Sequence, residues 1–147
     1  MSQNQTFLVS LFVLVVAGVA LYSFYDTVGR EYLRSWWEVT DTTTIFIESL
    51  PVTVDVADEP EERQQGLSGR DPLPDLMGLL FVFPTADTHG IWMKDMRFAI
   101  DIIWIGSDLS IVHIEENVRP ETFPTVFRPR QPAQFVLETN AFFVEDH

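Results

Sequence analysis

The chain has 147 residues, a formal net charge of −13 at pH 7, a single lysine, Lys94, and no cysteine. The acidic excess argues against a general nucleic-acid-binding surface, because phosphate contacts need clustered positive charge. The missing cysteines exclude disulfides, thiolate catalysis and cysteine-ligated zinc sites.

The first predicted element is a membrane-spanning helix from Phe7 to Tyr25, a segment without a charged residue. A helix of that length rises about 28 Å, close to the hydrocarbon thickness of a bilayer. A cleavable signal peptide is the competing interpretation, but no Lys or Arg precedes the apolar run. We expect residues 1–38 to form a membrane anchor and juxtamembrane segment, and residues 39–147 to form one mostly antiparallel β domain.

The charges near the predicted helix do not decide on which side of the membrane the domain lies. Arg30 and Arg34 follow it, and a strict positive-inside count therefore favours a cytoplasmic domain. Two arginines make only a small bias, so this count does not decide the orientation.

The first part of the predicted domain contains two β-rich segments and one helix. The segments Ile45 to Ile47 and Val52 to Val56 are separated by Leu50-Pro51, and the second alternates apolar with polar residues. Next, Asp58 and Glu61 have the spacing of a capping box. A short helix from about Glu59 to Gln65 is predicted, ending at glycine.

Short apolar segments bounded by Gly and Pro continue to the end of the chain, with no alternation of strand and helix. The predicted strands are Leu79 to Phe83, Phe98 to Ile105, Ile111 to Val118 and Gln134 to Glu138. The second and third of these are predicted to form a hairpin. The last residues, Asn140 to His147, read as the start of a helix.

Asp101 lies in an apolar, strand-like segment, between Ile100 and Ile102. An unpaired carboxylate out of water costs several kcal/mol, so we predict that Asp101 is buried and bonded to a cation or an N–H group. The expected partners lie in residues 92–97 or 63–70. Lys94 is a candidate base or anion ligand close by, although structural ion pairing explains the same pattern.

A proline-rich connection gathers Arg119, Arg128 and Arg130 with Phe123 and Phe127, and is locally basic in an acidic protein. Arginine and aromatic groups on such a loop suit the binding of an anion or a sugar ring. A packed surface loop is the alternative.

Metal and cofactor motifs are missing from the sequence, and we expect neither a metal nor a cofactor. His113 and Glu115, two apart on a predicted strand, share a face, but no third ligand is visible near them.

Several motifs occur in a characteristic order between Val52 and His147. They are Glu62-Arg63 with Gly66-Leu67 and Arg70, Gly78 to Phe83, Trp92-Met93-Lys94-Asp95, Ile100-Asp101-Ile102, and Val136-Leu137-Glu138. In these motifs the chain resembles the domain of unknown function 192 family, an uncharacterised bacterial and archaeal group. Asp95 departs from the family pattern, in which Asn is usual.

The resemblance implies a mainly β domain, jelly-roll-like or a sandwich, with one or two short helices. This domain follows the predicted transmembrane helix in the chain. Many members of the family are exported, so we expect an extracytoplasmic domain in the cell envelope. The resemblance implies no established reaction.

Two functions follow as hypotheses. The first is a non-catalytic module that binds a small anionic or carbohydrate ligand on a concave β surface. Its candidate binding residues are Trp92, Lys94, Asp101, Arg119, Arg128 and Arg130. The second is a hydrolase that uses Lys94 with Asp101 or Glu138 as an acid/base pair.

Overall fold

A computed structural model describes residues 42–147. Short strands dominate, with two short α-helices and one 3₁₀ turn at Pro120–Thr122. In chain order the elements are β1 (Thr42–Ile47), β2 (Leu50–Ala57), α1 (Pro60–Gln65), β3 (Met77–Asp87), β4 (Ile91–Trp92), β5 (Ile100–Ile105), β6 (Ile111–Val118), β7 (Val126–Phe127), β8 (Ala133–Asn140) and α2 (Phe143–Asp146).

Six of the strands form one mixed sheet in the order β1-β2-β3-β8-β5-β6, and β4 pairs with β7 in a two-stranded sheet. All neighbours are antiparallel except β2 and β3, which run parallel. They are parallel because α1 and the segment after it carry the chain back to the start of β3. The mainly β prediction is confirmed. One large sheet with a small second sheet stands in place of the expected jelly roll or sandwich.

The turn between β1 and β2 lies two residues earlier than the break expected at Leu50-Pro51. It is formed by Glu48 and Ser49, whereas Leu50 and Pro51 belong to β2. Proline is tolerated there because β3 pairs with β2 only from Thr53 onward, which leaves one side of Pro51 without a strand partner.

Helix α1 begins and ends close to the predicted bounds. Its capping differs by one residue: the Glu62 carboxylate accepts the backbone N–H groups of Asp58 and Glu59, both at 3.2 Å. The helix ends at Gly66, whose φ of 53° lies in the left-handed region that glycine adopts without strain.

The large sheet buries side chains on both faces. One face, here called the loop-covered face, carries Trp104 and Val136 and packs against Leu67 and Met93 from the connecting segments. The other, here called the α2 face, carries Ile103 and Leu137 together with half-buried side chains of α2. Successive residues of β5 alternate between the two, and all six are buried. Because β5 is covered on both faces, its sequence is apolar at every position except Asp101.

Strand β6 has the predicted bounds, but its apolar side chains do not all lie on one face of the sheet. Register shifts against β5 occur near both of its ends. A bulge adds one residue and exchanges the faces beyond it. Val112 and Val118 therefore pack on the loop-covered face while Ile114 packs on the α2 face.

The predicted membrane helix, residues 7–25, lies outside the described residues. Within residues 42–147 no helix is long and apolar enough to cross a membrane.

Candidate functional site

A narrow cleft opens on the loop-covered face, between the end of α1 and strand β4. Its cavity is about 50 Å³, and Glu138 of β8 lines it. The walls are the side chains of Arg63, Leu67, Phe81, Trp92 and Met96. A volume of this size holds about one or two water molecules, so it admits a small chemical group and not a whole ligand.

Two of the sequence motifs meet at this cleft. The Ser68 hydroxyl donates to the carbonyl oxygen of Lys94 at 2.8 Å, and the Gly69 N–H donates to the carbonyl oxygen of Asp95 at 2.8 Å. Buried Leu67 and Met93 anchor the two segments in the core. The two segments, far apart in sequence, are therefore joined, and Gly66, Leu67, Ser68 and Trp92 from them line the cleft.

Asp95 has a left-handed backbone conformation, with φ of 56°. Aspartate and asparagine adopt this conformation more readily than other residues with a side chain. The backbone requirement explains how Asp95 occupies a position where the resemblance leads one to expect Asn.

Glu138 is the buried acid of the cleft, with 4% of its surface exposed. Its strand neighbours in register are Leu79 and Ile102, both apolar. Among residues 42–147 no donor forms a hydrogen bond with its carboxyl group. Burial raises the pKa of Glu138 to about 8, and the charge of Arg70 opposes that rise. At neutral pH the group is therefore mostly a carboxylic acid, which both donates and accepts hydrogen bonds.

Arg70 does little to neutralise Glu138 because it is already paired. Its guanidinium donates to the Asp55 carboxylate at 2.6 Å, and both side chains are largely covered. Asp55 lies on β2, where alternation predicted a solvent-facing side chain. The arginine therefore forms an ion pair with Asp55, and no cation among residues 42–147 bonds Glu138.

Arg63 is also engaged by the fold. It donates to the backbone carbonyl groups of Asp58 and Val82, and its guanidinium lies 5.5 Å from the centre of the Phe83 ring. The His89 ring stacks on Phe83 with a centroid distance of 3.6 Å. These contacts hold the side wall of the cleft in place.

Aromatic rings form the rim. Trp92 is 48% exposed and Phe123 45% exposed; their ring centroids lie 6.2 Å apart at an interplanar angle of 65°. Val126 lies opposite Trp92 in the pairing of β4 with β7. The cleft thus opens onto an exposed apolar surface.

The six predicted binding residues do not converge on the cleft. Trp92 lines it. Arg128 lies beside it, against Gly90, and donates to the carbonyl oxygen of Thr88 at 2.6 Å. Lys94, Arg119 and Arg130 are exposed and do not line the cavity.

Asp101, the sixth, is fully buried, as predicted. Its partners are not those expected: the N–H groups of Asn117 and Val144 donate to its two oxygens at 2.8 and 2.9 Å. Asn117 lies at a register shift of β6 and has a left-handed backbone with φ of 49°, and Val144 lies in α2. Neither feature is visible in the sequence.

Asp101 and Glu138 belong to neighbouring strands but face opposite ways. Thr139, not Glu138, is the register partner of Asp101. Asp101 therefore points to the α2 face and Glu138 to the loop-covered face, so the acid/base pairing of Lys94, Asp101 and Glu138 does not assemble in one place.

Other acid and histidine groups supply no further site. His113 bonds Glu115 at 3.0 Å on the shared face that their spacing predicted. Within the described residues no group of three or more acid or histidine side chains is arranged to hold a metal ion.

Comparison with known proteins identifies relatives of the domain. The model of the DUF192 family, described as Uncharacterized ACR, matches residues 43–147. No curated protein matches the chain.

Two solved structures share the fold. One, from Sinorhizobium meliloti 1021 and proposed in its description to be a transcription regulator, is 32% identical with a TM-score of 0.65, over 71% of this chain and 82% of that one. The other, a protein of unknown function from Novosphingobium aromaticivorans DSM 12444, is 26% identical with a TM-score of 0.64, over 71% and 76%.

Proposed function

The chain belongs to the uncharacterised DUF192 family, and on that premise we propose that it is a membrane-tethered, non-catalytic module that binds a carbohydrate at the Glu138 cleft. The observation that carries the proposal is the buried Glu138 carboxyl group, which no donor in residues 42–147 bonds. This carboxyl group faces the cleft, and as a neutral acid it can both donate to and accept from a group that enters there. A ligand hydroxyl group offers the matching acceptor and donor.

A carbohydrate fits the cleft better than an anion. Arg119 and Arg130 do not line it, and Arg63 and Arg128 already donate to backbone carbonyl groups. A sugar offers hydroxyl groups to the acid and an apolar ring face to Trp92.

Binding is preferred to hydrolysis because the cleft has one acid. Glycoside hydrolysis generally needs two carboxyl groups flanking the bond, and Glu138 is the only carboxyl group among the described residues that line this cavity. The proposed hydrolase pair of Lys94 with Asp101 is separated by the sheet geometry. The net charge of −13 argues against a function in binding nucleic acid.

We place the domain outside the cytoplasm, held by residues 7–25. The proposal rests on the apolar N-terminal segment and on the exported members of the family. Protease treatment of intact cells tests it: the domain should be cleaved from outside. Protection until the membrane is breached would place it in the cytoplasm.

The ligand class is tested by titrating the full chain, in a detergent without a sugar head group, with neutral saccharides, uronic acids and inorganic phosphate. Saccharide binding detected by calorimetry should be lost in Glu138→Ala and weakened in Trp92→Ala. Phe46→Ala, which removes an exposed aromatic ring on β1, is the matched control and should bind normally. Phosphate binding that depends on Arg128, with no saccharide binding, would contradict the proposal.

A further inference from the structure

Building on this proposed function, we infer that the binding site extends from the cleft across Trp92 and Phe123, so that its ligand is a linked saccharide with two consecutive rings seated on the two aromatic side chains. The terminal sugar inserts one exocyclic group toward Glu138. The next sugar covers Phe123.

The size of the cavity places the sugar rings outside it. About 50 Å³ takes a hydroxyl or hydroxymethyl group, and a whole pyranose ring is larger. The ring that carries this group must then lie at the mouth, where Trp92 is half exposed. An indole face of this kind packs against the C–H face of a sugar.

Phe123 continues the aromatic surface from Trp92. The two ring centroids lie 6.2 Å apart at an angle of 65°, so the two side chains form one continuous but angled aromatic surface. A ligand that ended at the first ring would leave the exposed face of Phe123 in water.

Backbone hydrogen bonds hold Phe123 in this position. The 3₁₀ turn before it is closed by the Thr122 N–H on the Arg119 carbonyl group at 3.0 Å, and by the Phe123 N–H on that of Pro120 at 3.2 Å. The Thr125 N–H donates to the Thr122 carbonyl group at 2.8 Å. An aromatic side chain on an ordered turn loses little conformational entropy on binding.

The apolar side chains at the cleft mouth are exposed to solvent. Trp92, Phe123 and Val126 are each more than two-fifths exposed and adjoin one another at the cleft mouth. Covering apolar surface of this kind is favourable at about 25 cal/mol per Å². The second sugar ring supplies that cover.

The test compares saccharides of increasing length on the full chain, in a detergent without a sugar head group. The probes are glucose, cellobiose and cellotriose, and N-acetylglucosamine, chitobiose and chitotriose. In the series that binds, affinity should rise about tenfold from one ring to two, as expected for one added aromatic contact, and little from two to three.

Phe123→Ala should remove the gain from the second ring, so that one-ring and two-ring probes bind this variant equally, and circular dichroism should show that it is folded. Trp92→Ala should weaken every probe, and Phe46→Ala should change none. Equal affinity for one and two rings in the original protein, or an equal loss for both in Phe123→Ala, overturns the inference while the Glu138 site stands. No binding by either series overturns the proposed function as well.

Discussion

Asp101 and Glu138 are both buried acids on neighbouring strands, yet their surroundings differ in kind. Asp101 receives two backbone N–H groups, from Asn117 and Val144. Glu138 receives none from the described residues and faces a cleft. Burial alone therefore does not distinguish an acid whose oxygens are bonded by the fold from an acid that faces a cleft, whereas the hydrogen-bond partners do.

The partners also explain why each acid is tolerated. The N–H groups replace the water that Asp101 loses, and they tie β6 and α2 to β5. Glu138 has no such replacement among the described residues, and burial raises its pKa so that the fold holds it as the neutral acid. The hydrogen bonds to Asp101 therefore stabilise the fold. The burial of Glu138 destabilises it and leaves a carboxyl group at the cleft.

The largest expected effect comes from removing the structural acid. Asp101→Ala should lower the free energy of unfolding by about 3 to 5 kcal/mol, because two hydrogen bonds to a charged group are lost and two buried N–H donors are left unpaired. Urea denaturation measures this. Asp108→Ala is the matched control, since Asp108 also accepts bonds from its neighbour Ser110 but is exposed, and it should change little. An equally small loss for Asp101→Ala would remove the contrast between the acids.

Glu138 should make stability fall with rising pH. Its pKa is about 8 in the folded protein and 4.5 ordinarily. Between these pH values unfolding releases a proton, so the free energy of unfolding decreases as the pH rises. The contribution from pH 4.5 to 7 is about 3 kcal/mol. Denaturation at pH 5 and pH 7 should show a smaller decline in Glu138→Gln than in the original protein. Identical declines would mean that Glu138 is not held neutral.

Arg70 links the cleft to β2, and its loss should have an intermediate effect. Arg70→Met breaks the half-buried ion pair with Asp55 and should cost about 1 to 2 kcal/mol. The pKa of Glu138 should rise further, since Arg70 is the charge that opposes its rise. Carbon NMR of the Glu138 carboxyl group follows the titration. Arg97→Met, which breaks an exposed ion pair, is the control.

Trp92→Ala should have the smallest effect on stability, less than about 1 kcal/mol, because the side chain is half exposed. Thermal unfolding checks this. The same variant should weaken saccharide binding, which separates a binding role from a structural one. A large loss of stability would make Trp92 part of the core instead.

Patterns over a few residues predicted several elements well. Helix α1 between Glu59 and Gly66, the strand Ile111–Val118, and the burial of Asp101 all follow from spacing and composition. They depend on backbone preferences and on the cost of burying charge, which act locally.

The sequence by itself thus determined a mainly β domain of this family, its short helix and the need to satisfy Asp101. Only the tertiary structure decided the parallel pairing of β2 with β3, the partners of Asp101 and the cleft at Glu138. These depend on register between strands far apart in the chain, where a shift of one residue turns a side chain to the other face. Asp101 and Glu138 lie on neighbouring strands, one register position apart and among similar apolar neighbours. That single position places Asp101 in the core beneath α2 and Glu138 at the cleft.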